Sequence, residues 1–84
     1  MTPETMGDDS MTKMTSDLIA LANAGAAIEL PVNSKITSDL ILIAKATKAT
    51  RGSLRLINCD TKMTSDLISI AKSAPGRVTF VFES

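Results

Sequence analysis

The sequence predicts an α/β protein of three helix–strand repeats. These form a short parallel three-stranded sheet with its helices on one face, in the manner of a solenoid. Three observations carry that prediction. A ten-residue segment at 13–22 recurs at 35–44 and again at 62–71. A helix breaker follows each copy: Gly25, Gly52 and the pair Pro75-Gly76. After each breaker runs a short stretch in which every second residue is apolar.

Each copy reads as a helix start. The first, Lys13-Met14-Thr15-Ser16-Asp17-Leu18-Ile19-Ala20-Leu21-Ala22, sets the pattern, and the aspartates at 17, 39 and 66 place the copies 22 and 27 residues apart. Periods of this size belong to arrays in which one supersecondary unit stacks on the next. Thr and Ser precede the apolar positions, where a hydroxyl is expected to accept from the unpaired N–H groups of a first turn. The aspartate follows where the helix dipole favours negative charge. Leu18, Leu21 and Ala22 then stand at i, i+3 and i+4, as do Leu40, Ile43, Ala44 and Leu67, Ile70, Ala71; this spacing predicts one buried face per helix. Lys45 and Lys72 fall toward the helix ends, and the glycines beyond them read as C-caps.

The alternating stretches predict strands over 28–32, 54–58 and 78–82. Strands separated by helices run parallel, through right-handed crossovers. Alternation sends Ile28, Leu30, Val32, Leu54, Leu56, Val78, Phe80 and Phe82 toward the helices. It sends Glu29, Pro31, Asn33, Arg55, Ile57, Cys59, Thr79, Val81 and Glu83 to the other face. The register of the second strand is the weakest point, because a slip of one residue exchanges its two faces. The five extra residues of the longer repeat are expected mostly at 47–50, as a longer helix end. Residues 1–12 read as a flexible acidic tail, and 13–84 as a single repeat domain.

Composition excludes more than it selects. The 84 residues are 44% hydrophobic, with two Phe and no Trp or Tyr, and nine basic residues balance nine acidic ones. Zero net charge gives no general attraction to nucleic acid or to an anionic membrane, and it favours self-association. No apolar run approaches the ~20 residues of a membrane span. The acidic beginning lacks the basic and apolar regions of a signal peptide, and a single Cys59 fits a reducing compartment. A cytoplasmic protein is expected.

The unit Ile-Thr-Ser-Asp-Leu-Ile-x-Ile-Ala-Lys, followed by Gly and a short apolar strand, resembles the helix–strand repeats of small bacterial and phage proteins. In layout it is similar to a short leucine-rich-repeat solenoid, although the Leu-x-x-Leu-x-Leu-x-x-Asn pattern is missing. The resemblance covers roughly residues 13–84. It implies a protein-binding surface on the sheet and supplies no catalytic residues.

The residues themselves offer little chemistry. With no His, the commonest general base and metal ligand is missing, and Cys59 has no imidazole partner to activate it. The row Asp17, Asp39, Asp66 invites a metal, but helices packed ~8–10 Å apart hold such carboxylates too far apart to share one ion. Helix-start charges explain the row better. Three helix N-termini near Lys13, Lys35 and Lys62 suggest an anion site, which the aspartates oppose. Lys45, Lys48, Arg51 and Arg55 form a basic stretch without the interleaved aromatics that stack on bases. The methionines at the helix starts read as packing residues.

The expectation is therefore a non-enzymatic module, without cofactor or metal, that binds protein through the open face or edge of its sheet. Glu29, Arg55, Ile57, Thr79 and Val81 are the expected partner-binding residues. The partner is a further copy, making a homo-oligomer, or a foreign protein, as for a small phage-type inhibitor or adaptor docking on a larger host complex. A small-ligand or nucleic-acid binder is the lesser alternative, and a membrane is not an expected partner.

Overall fold

The computed structural model describes residues 13–82; the expected tail over 1–12, and Glu83, lie outside the described residues. Three helices alternate with three strands: α1 (Thr15–Asn23), β1 (Ala27–Pro31), α2 (Thr37–Lys48), β2 (Ser53–Ile57), α3 (Thr64–Ser73) and β3 (Val78–Phe80). The strands pair in sequence order, β1-β2-β3, and all run parallel. The α/β architecture is the one that the repeat predicts.

One core joins the two layers. Leu30, Leu54 and Leu56 of the sheet meet Leu18, Leu40, Ile43, Leu67 and Ile70 of the helices. Full burial of such a side chain stabilises by about 1.5–3 kcal/mol, so these residues hold the stack together. Pairing sets Ile28, Leu54 and Val78 side by side, then Leu30, Leu56 and Phe80. Pro31 ends β1, and its missing N–H is tolerated because β1 is an edge strand.

The helix starts depart from expectation. The residues at the N-cap positions are Met14, Ile36 and Met63, with extended backbone and no side-chain cap bond. The threonines are instead the first helical residues. Each first turn closes on the apolar residue's carbonyl, which accepts from two backbone N–H groups; for Met14 these are Asp17 and Leu18, at 3.0 and 3.1 Å. The threonine hydroxyl is thereby left free to reach the neighbouring repeat. Thr15 Oγ1 donates to Asp39 Oδ2 at 3.2 Å.

Two glycines do different work. Gly25 lies in the left-handed region at φ +92° and closes α1, donating its N–H to Ala22 O, as a C-terminal glycine should. Gly52 is not such a cap. A Cβ there would come within 2.8 Å of Ala26 O, so glycine is required for the close approach of the chain to the first repeat. Thr50 secures that approach by donating its hydroxyl to Ala22 O at 3.0 Å.

The longer repeat is accommodated in two places. Four of its five extra residues lie between Asp39 and Leu56, where α2 runs to twelve residues against nine in α1. The fifth is Asn58, the one non-glycine residue with positive φ among those described (φ 61°). A short polar side chain tolerates this conformation better than a branched one. The consequence is a change of face. Beyond Asn58 the chain enters a 3-10 turn (Cys59–Thr61), matching the turn Val32–Ser34 after β1, and Cys59 takes the place that Val32 has in the first repeat. Both are completely buried. Cys59 therefore belongs to the core and not to the open face on which strict alternation places it.

Candidate interaction surface

The face of the sheet away from the helices is built in rows by the parallel register. Glu29, Arg55 and Thr79 stand side by side, and Pro31 neighbours Ile57. Val81 extends the second row: its N–H donates to Leu56 O at 2.8 Å, and its carbonyl accepts from Cys59 N–H at 3.0 Å. Glu29, Arg55 and Thr79 are exposed, while Ile57 and Val81 are half-buried. Thus the five residues expected to bind a partner lie on one face, polar in one row and apolar in the next. Arg55 Nε approaches Glu29 Oε1 at 3.4 Å, with both side chains more than half exposed. Such a pair contributes about 0–1 kcal/mol and orders the two side chains more than it stabilises the fold.

Among the described residues, no helix or loop covers this face. The remaining sites suggested by the sequence resolve in other ways. Cys59 donates its thiol to Leu56 O at 3.2 Å, and burial pushes its pKa up; both keep it a neutral core residue. Asp39 is engaged by Thr15, and no group of three His, Cys, Asp or Glu able to hold a metal exists among the described residues. Lys35 donates its ammonium group to the carbonyl of Lys13, so it ties two repeats together. Lys45, Lys48 and Arg51 are exposed. No helix among the described residues is long and apolar enough to cross a membrane.

Two features escaped the sequence reading. Met14, Ile36 and Met63 are exposed rather than packed, and they place one apolar side chain at the start of each helix. The signal was present, since all three copies carry an apolar residue before Thr-Ser-Asp. The second feature is a groove of about 360 Å³ along α3, lined in part by Lys62, Thr64, Leu67, Ile68, Phe80 and Phe82. It opens where the repeat pattern would place a further helix. Comparison with family models, curated proteins and solved structures finds no match.

Proposed function

We propose that this protein is a non-enzymatic module that binds protein, a second copy of itself foremost, through the open face or edge of its sheet. The observation that supports this most is the uncovered sheet face. Parallel sheets are ordinarily covered on both sides, and here an apolar row of Pro31, Ile57 and Val81 borders a charged row of Glu29 and Arg55. A half-apolar, half-charged face suits a partner that buries the first row and leaves the second at the rim. The edges add a further route, because unpaired strand edges are templates for another chain.

The test is size-exclusion chromatography with light scattering on the wild type and on Val81→Asp, across a range of concentrations. Assembly of the wild type that Val81→Asp abolishes supports the face. Assembly that Val81→Asp leaves unchanged moves the contact off the sheet face. A wild type that stays monomeric, with no stoichiometric protein partner, contradicts the proposal.

A further inference from the structure

The three helices share Thr-Ser-Asp-Leu-Ile and carry a large aliphatic residue at Leu21, Ile43 and Ile70, so differences in exposure between these equivalent positions report on their neighbours. They fall into a directional pattern. Thr15 and Thr37 are half-buried, and Thr64 is exposed. Ile19 and Ile41 are half-buried, and Ile68 is 48% exposed. These positions face the next repeat, and among the described residues only the third copy has none beside it. On the opposite flank the order reverses. Asp39 and Asp66 are half-buried, while Asp17 is exposed; Ile43 and Ile70 are 0% exposed, while Leu21 is 45% exposed. These positions face the preceding repeat, and among the described residues only the first copy has none beside it.

The sheet follows the same rule. Phe82 stands two residues beyond Phe80, as Val32 stands two beyond Leu30. Val32 is completely buried, yet Phe82 is 55% exposed beside the groove along α3. One flank of the molecule thus presents Thr64, Ile68 and Phe82, and the other presents Asp17 and Leu21. Each set is the counterpart of a surface that is already packed within the chain, where α1 meets α2 and α2 meets α3. The complementarity includes polar atoms: Thr15 donates to Asp39 across the first of these contacts.

We infer that a second copy docks head to tail, with its α1 flank against the α3 flank of the first, so that the internal repeat contact recurs between chains. This rests on the reading of the protein as a self-assembly module, moves the contact between copies from the sheet to the helix flanks, and leaves the sheet face to a foreign protein. Thr64 takes the role of Thr15 and donates to Asp17 of the next copy; Ile68 packs on Leu21. Pro31 withholds one donor from the outer edge of β1, so the helix flanks carry the contact and the strand edges contribute less. The contact is heterologous: each copy keeps one free flank of each kind, and growth continues until a ring closes. The face of Glu29, Arg55 and Thr79 stays open along the whole assembly.

Complementary blocking variants of the full chain test this. Ile68→Glu disables the α3 flank and leaves the α1 flank intact, and Leu21→Glu does the reverse. By light scattering, the wild type should grow in mass with concentration, and each variant alone should remain monomeric. An equimolar mixture of the two should give a complex of twice the monomer mass. That complex also establishes that both variants are folded.

A wild type that assembles alongside variants that assemble equally well, or that fail to complement, overturns this inference alone. A wild type monomeric at every concentration overturns the self-assembly reading with it. A second pair uses exposed polar positions. Thr64→Glu should weaken assembly by facing Asp17, and adding Asp17→Lys should restore it. Unchanged assembly in Thr64→Glu, or failure of the rescue, overturns the inference.

Discussion

The middle helix and the two outer helices share a sequence pattern and differ in surroundings. In α2 the positions Leu40, Ile43 and Ala44 are all closed to solvent. In α1 the equivalent of Ile43 is Leu21, which lies largely open, and in α3 Ile68 is open where Ile41 is half-buried. The local pattern makes a helix in each case, but only a repeat on both sides makes it a core helix. In a stack of this kind, stability is close to a sum of intrinsic terms and nearest-neighbour interfaces. The chain has two such interfaces between its three helices, and two flanks shaped for more.

Substitution at one repeat position gives the sharpest form of this comparison. Ile43→Ala should cost about 2–5 kcal/mol, enough to unfold most of a chain this small. Leu21→Ala, at the same position of α1, should stay within about 0.5 kcal/mol in dilute solution, as for surface changes away from the core. Urea titration of both variants checks the pair. Equal losses would mean that α1 is covered on its outer flank even in a monomer.

The next contrast lies between the ends of β1 and β2. The chain leaves β1 through Pro31 and enters the core directly at Val32, whereas it leaves β2 through Asn58 in the left-handed region before Cys59. Asn58→Val should cost about 1–2 kcal/mol, the penalty for an L-residue held there, and Asn58→Gly should be tolerated. Denaturation midpoints of the two variants check this. A Val variant as stable as the wild type would remove Asn58 from its role of returning the chain to the core.

These particulars show how far the residues spoke for themselves. Helix, breaker and strand were legible in all three copies because period and punctuation are local signals. The shared face of Glu29 and Arg55 was legible too, since alternation along each strand puts both on the side away from the helices. Cys59 was misplaced because one residue in the left-handed region interrupts alternation, and nothing about Asn58 alone announces that φ. The helix caps were misassigned because Thr, Ser and Asp all favour a helix start, and the choice between them is settled by packing. The difference between equivalent positions was beyond a sequence that repeats itself, for it arises from which neighbours exist.

A small effect on stability is also expected at the open face. Glu29→Gln removes a carboxylate from an exposed pair and should change stability by no more than about 1 kcal/mol. Its influence should instead be felt in partner binding, with a weaker dependence on salt. A titration in urea and a binding assay at two salt concentrations separate the two outcomes.

Amide hydrogen exchange, followed from dilute to concentrated protein, tests the claim of incomplete flanks most directly. The outer helices should open more readily than α2 in dilute solution, because among the described residues each has a neighbouring helix on one side only. As concentration rises, protection should increase in α1 and α3 while α2 stays as it was. Protection in α1 and α3 that is already equal to that of α2, and indifferent to concentration, would contradict the account.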